Sequence, residues 1–213
     1  MTARTKTAEA QVEALGTRER IMEVALKEFA DKGLSGARVD DIADQVKTSK
    51  RMIYYHFGSK EGLYQAVLAR AYEGIRQSEA TVRTELLSPR EALRTIVGVS
   101  FDYHNSHPMF VRLVMNENIH YAEHLDVATR EANRGIIERL REILERGEQS
   151  GDFRAGLDAR QLHLTISALG FHFVSNQHTF SKVFDWDMTS HEAVAARREI
   201  AIDTVLRWVS AAD

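Results

Sequence analysis

Only two prolines, Pro89 and Pro108, interrupt a chain of 213 residues. Proline removes an amide donor and clashes with the preceding helical turn, so a chain almost free of it can run in long helices nearly throughout. Charged residues make up 28% of the sequence, in stretches dominated by Ala, Leu, Glu and Arg, which cost least in a helix. No repeat, low-complexity tract or strand-like alternation stands out. The expected fold class is all-α, with roughly nine helices. The absence of Cys excludes a disulfide framework and thiolate chemistry and fits a cytoplasmic location. No apolar run approaches the ~18 residues of a membrane span. The opening segment MTARTKTAEAQVEALG lacks the apolar core of a signal peptide, so no membrane partner is expected.

The overall net charge of −3 speaks against nucleic acid until it is divided along the chain. Residues 1–60 carry +2 and residues 61–213 carry −5. Between Gln45 and Lys60 there is no acid, while Lys47, Lys50, Arg51 and Lys60 are basic and Tyr54, Tyr55 and His56 lie among them. A phosphate contact is made by a local patch, because screening removes charges beyond roughly 8 Å. The sequence therefore reads as an acidic body with a small basic head.

Residues 1–16 show no clear periodicity and are expected to form a flexible arm. From Thr17, Ile21, Ala25 and Phe29 recur at helical spacing until Gly33 stops the run. Val39, Ile42, Ala43 and Val46 form the inner face of a two-turn helix. After a short break, Ser49 caps a third helix with Ile53 and Phe57 inward. Three short helices with a tight break before the last form a helix-turn-helix plan, in which the third enters the major groove. Lys50 and Arg51 occupy its first two positions, where an Arg can pair bidentately with guanine. Tyr54, Tyr55 and His56 can donate to phosphate oxygens, and Lys60 sits at the amides that open the next helix. A solvated basic turn with two packed tyrosines is the plainer alternative on charge pattern alone.

The string TSKRMIYYHFGSKEGLY, preceded by VDDIADQ and TRERIMEVALKEFADKG, closely resembles the DNA-binding domain of the TetR family of bacterial transcriptional regulators over about residues 17–65. The resemblance implies that Lys50, Arg51 and Tyr54 read bases. It implies phosphate contacts from Ser49, Tyr55, His56 and Lys60, with Thr48 and Arg38 nearby and Thr17 at the start of the first helix. Three positions depart from the family pattern. Lys47 replaces the turn glycine, Arg51 and Met52 replace small residues, and Arg38 replaces the Thr that commonly caps the second helix. The expected organisation is an arm over 1–16, a helix-turn-helix domain over 17–62, and an effector-binding and dimerisation domain over 63–213.

The resemblance weakens after about residue 65 and implies a ligand-binding body whose last two helices join a homodimer. Residues 158–176 are apolar nearly all round, and the last helix carries an apolar face. Together they nominate Leu162, Leu169, Phe173, Val194, Ala201, Val205 and Trp208 for the dimer interface, with packing inside one chain as the alternative. Residues 103–125 resemble a subset of TetR-type regulators of catabolic operons. Phe101, Phe110 and Leu113 fall near His104, Asn116, Glu117 and His120, the mixture of apolar wall and few polar groups that a small-ligand pocket needs. Ile137, His163, Ser167 and Phe171 are further candidates. The rival arrangement has the apolar residues in a core and the Asn and His side chains capping helix ends. His120 and His124 are four apart but lack a third ligand at a recognisable spacing, so no metal and no cofactor is expected. No nucleophile elbow, phosphate-cradling loop or His-Glu-x-x-His motif occurs, which argues against an enzyme. The implied function is a homodimeric repressor of a palindromic operator, released by a small molecule. A DNA-binding activator, an effector-free regulator, and a helical-bundle enzyme or carrier are the rivals.

Overall fold

Eleven α-helices and one 3-10 turn make up residues 3–211, the part described in the computed structural model, with side chains described from residue 16 onward. The helices are α1 (Ala3–Gly36), α2 (Val39–Val46), α3 (Lys50–Phe57), α4 (Lys60–Ala80), α5 (Pro89–Ser106), α6 (Pro108–Ile119), α7 (Val127–Ala132), α8 (Arg134–Ser150), α9 (Ala159–Ser175), α10 (Gln177–Val183) and α11 (His191–Val209). Among the described residues the sole β feature is an isolated bridge between Phe153 and Ser210.

Local chemistry sets most of these boundaries. Ser88 accepts from the Glu91 amide while the Glu91 carboxylate accepts from the Ser88 amide, a capping box ahead of Pro89. Ser49, Asp158 and Ser190 cap α3, α9 and α11 by accepting from amides of their first turns. Two helices exceed the expected count. The expected run from about Leu125 to Arg146 is divided at Asn133, whose side-chain amide donates to the Thr129 carbonyl at 2.7 Å and so competes with the helical ladder. The short α10 follows α9 directly.

The chain divides into two compact units, residues 1–71 with 112–126, and residues 72–111 with 127–213. The boundary expected after residue 62 lies instead inside α4, and a segment of α6 returns to the first unit. There Asn116 donates to the Ala30 carbonyl at 3.1 Å and Arg112 pairs with Asp31 at 3.3 Å. Burial of Ile21, Ala25 and Phe29 on α1 against Ile42, Ile53, Leu63 and Leu68 forms this unit's core, with Phe29 edge-on to Tyr64 at 5.0 Å. The arm expected over 1–16 is corrected in part: the backbone from Ala3 belongs to α1, while residues 1–2 and the side chains before Gly16 lie outside the described residues. Gly33 ends the regular part of α1 at φ 67°, with Asn116 Oδ1 3.3 Å from where a Cβ would sit, so a side chain there is opposed by both strain and space.

In the second unit α5 packs on α9 and α11, and α8 on α9 and α5. Gly170 lets α9 approach α5 closely, since a Cβ there would lie 3.0 Å from His104 Nδ1 and 3.4 Å from the Phe101 backbone. This packing corrects four of the residues nominated for a dimer interface. Leu162, Phe173, Ala201 and Val205 are buried within the unit, and Leu169, Val194 and Trp208 are half-buried. The helical period explains the error. Leu162, Ile166 and Phe173 share the inner face of α9, whereas Leu164 points away and is 62% exposed, as Ile200 on α11 is 52% exposed.

Candidate nucleic-acid interface and effector site

The first candidate site is built on α3. Ser49 holds its start by accepting from the Met52 amide at 3.2 Å, and Ile53 anchors its inner face in the core. Arg51, Tyr54 and Tyr55 are exposed, Tyr55 by 80%, and among the described residues Arg51 has no ion-pair partner. Lys50 Nζ lies 3.1 Å from Asp40 Oδ2 of α2. His56 is half-buried with Nε2 unpartnered, its ring against Tyr55 and Phe57. Lys60 opens α4 and reaches the Ser35 carbonyl at 3.4 Å, while Ser59 Oγ accepts from the Gly62 amide at 3.0 Å.

Lys47 and Arg38 behave as their departures from the family pattern imply. Lys47 takes the left-handed conformation at φ 58°, and Arg38 stands at the N-cap of α2 without a side-chain cap bond. Thr48 is half-buried, its amide closing onto the Ala43 carbonyl at 2.9 Å. Thr17 is corrected: it sits inside α1, not at a helix start, and its hydroxyl accepts from Arg20 at 3.4 Å.

The expected effector residues fall into different units. Leu113, Asn116, Glu117 and His120 belong to the first, where Leu113 is core and Glu117, 2% exposed, accepts from the His124 amide at 2.6 Å. His120 Nδ1 meets the Asn116 carbonyl at 2.8 Å and the ring is exposed. Ile137 lines an open cleft of about 450 Å³ between α8 and the start of α9, beside Arg141, Arg154 and Arg160.

Phe101, His104, Phe110, His163, Ser167 and Phe171 stay in the second unit. His104 lies 5.9 Å from both Phe110 and Phe171, and Phe101 lies 5.8 Å from Phe173. Beside them is a polar group that the sequence reading missed. Arg76 Nη1 donates to Glu79 Oε2 at 2.6 Å and contacts His163 Nε2 at 3.3 Å, while Ser100 Oγ donates to Glu79 Oε1 at 2.8 Å. Burial, reinforced by Arg76, holds both His104 and His163 down at about 4, so both rings are neutral at pH 7. Burial also pushes the Glu79 carboxyl up, against the pull of Arg76. A signal existed in the sequence: Ala71, Ile75 and Glu79 continue one row at four-residue spacing, which puts an acid on an apolar face.

The family described as bacterial regulatory proteins of the tetR family matches residues 21–67, and the tetracyclin repressor-like C-terminal domain matches residues 89–205. The HTH-type transcriptional repressor NicS of Pseudomonas putida is 35% identical over 193 residues, covering 90% of this chain and 91% of its own. The chain belongs to the TetR family. The HTH-type transcriptional repressor KstR2 of Rhodococcus jostii is 27% identical, over 67% of this chain and 71% of its own. The crystal structure of the putative transcriptional regulator SCO4942 from Streptomyces coelicolor superposes with a TM-score of 0.71 at 26% identity, covering 91% of this chain and 98% of that one. Membership makes the protein a DNA-binding transcriptional regulator and not an enzyme. No helix among the described residues is long and apolar enough to cross a membrane.

Proposed function

We propose that this regulator is a homodimeric repressor that binds a palindromic operator through α3 and is released by a small molecule held in its second unit. The observation that carries the reading is the capped, acid-free α3, which holds Arg51, Tyr54 and Tyr55 outward while Ile53 fixes its inner face. Arg51 and Tyr54 read bases together with Lys50, and Ser49, Thr48, Tyr55, His56, Lys60 and Arg38 hold phosphates. Repression is supported by NicS, which is named a repressor. Two copies supply two reading helices for half-sites about one helical turn apart. Their contact is assigned to the outward side of α9 and α11 around Leu164 and Ile200, which stay exposed in one chain. An effector that favours a state unable to fill both half-sites shifts the population off DNA.

A gel shift on the operator tests the DNA reading. Arg51→Ala with Lys50→Ala abolishes specific binding while the circular dichroism spectrum is unchanged; retained specific binding rejects α3 as the reader. Sedimentation tests the dimer: Leu164→Asp with Ile200→Asp yields monomers, and an unchanged dimer mass rejects this face.

A further inference from the structure

Among the described side chains of residues 16–71, large apolar groups are exposed at three positions, and all three stand on α3: Met52 at 40%, Tyr54 at 39% and Tyr55 at 80%. The other exposed apolar side chains of this unit, Ile119, Tyr121 and Leu125, belong to the returning segment 112–126. A single apolar residue on a surface needs no explanation, but three on one two-turn helix form a patch. At about 100° per residue, Arg51 and Tyr55 point opposite the buried Ile53, and Met52 and Tyr54 flank them on either side. Met52 is therefore as open as Tyr54, on the other edge of the same outward face. The tyrosines end in hydroxyls that hydrogen-bond phosphates or base edges. Met52 has no such group: its thioether is a weak acceptor, and its chain is a flexible, polarisable apolar tip. The surroundings of this tip are cationic. Asp40 of α2 occupies Lys50, but Arg51 has no ion-pair partner among the described residues, and no acid lies between Gln45 and Lys60. A patch so framed fits a polyanion that carries apolar groups. On the major-groove edges of DNA the apolar group that marks one base pair from another is the 5-methyl of thymine.

We propose that Met52 is a specificity-determining residue of this regulator, which selects a thymine in the operator by packing on its 5-methyl group. The contact removes apolar surface of both partners from water and makes no hydrogen bond, so it discriminates by the methyl alone. It complements Arg51, whose guanidinium recognises a base edge through paired donors. This assignment rests on the reading of the operator by α3 and gives that reading one apolar element that charge and hydrogen bonding do not supply.

Selection from randomised duplex DNA with the whole chain supplies the operator, and each of its thymines is then replaced in turn by deoxyuridine, which keeps the pairing and removes only the methyl. Fluorescence anisotropy reads the affinities. At one thymine position the missing methyl weakens wild-type binding by about three- to tenfold. Met52→Ala, with an unchanged circular dichroism spectrum, binds the thymine operator more weakly by a similar factor and no longer distinguishes thymine from deoxyuridine there. Met52→Leu keeps the discrimination, and Met52→Gln, of similar length but polar, loses it. The salt slope is the same for wild type and Met52→Ala, because no phosphate contact is removed. Discrimination retained by folded Met52→Ala overturns the proposal and assigns the methyl to another side chain. So does an operator in which no thymine methyl affects wild-type affinity. Failure of the folded wild-type chain to select any operator rejects the reading by α3 itself, and the contact of Met52 with it.

Discussion

Lys50, proposed above to read bases, already has a partner within the chain. Its ammonium rests 3.1 Å from Asp40, an exposed pair of a kind worth at most about 1 kcal/mol. The pair holds the side chain over α2, and under the proposed reading DNA competes with Asp40 for it. Replacing Asp40 with Asn is expected to raise operator affinity severalfold at low salt, read by fluorescence anisotropy; unchanged affinity would mean that Lys50 takes no part. His104 and His163 make a second prediction. Their folded midpoints of about 4 lie below the ordinary 6.5, so between those values the unfolded chain binds more protons. Stability is then full above about pH 6.5 and is lost as pH falls toward 4. One such histidine removes about 2 kcal/mol between pH 7 and pH 5. Urea midpoints at the two pH values should show that loss, and His163→Gln should reduce it. The depressed midpoints were not legible in the sequence, because Arg76 and His163 are brought together from positions 87 apart.

At the scale of elements, α2 is secured by its apolar face more than by its ends. Arg38 provides no cap, and Lys47 accepts a left-handed backbone that glycine adopts at lower cost. Arg38→Thr and Lys47→Gly are each expected to stabilise the protein by about 1 kcal/mol. Both should weaken operator binding if these cations meet phosphates. Chemical denaturation beside the gel shift separates the effects, and a loss of stability in either variant would contradict the cap geometry. Elements such as α3 and α5 were readable because their signals are local: Ser49 and Ser88 act within their own first turns. The break at Asn133 is local too, but an Asn inside an otherwise periodic run does not announce which carbonyl it will take.

For the whole molecule, the net charge of −3 misleads and the distribution of charge does not. Operator affinity is expected to fall steeply with salt, its logarithm dropping by about 0.9 per neutralised phosphate for each unit of log salt. A flat salt dependence would show that the acid-free patch does not meet the DNA backbone. The division into two units was only half visible. The first unit recruits residues 112–126 through Asn116 and Arg112, contacts that no periodicity within α6 could signal.

The sequence alone determined the all-helical class, the capped helix starts, the family, and the position of the helix proposed to read the operator, with departures at Lys47, Arg51–Met52 and Arg38. These depend on backbone chemistry within about four residues or on a fixed motif. The tertiary structure decided which apolar faces close within one chain, burying Leu162 and leaving Leu164 outside. It also placed Asn116 and Glu117 in the first unit and brought Arg76, Glu79, Ser100 and His163 together in the second. Such choices are set by packing between residues tens of positions apart, where the helical period fixes the face of each helix but not the neighbour that covers it.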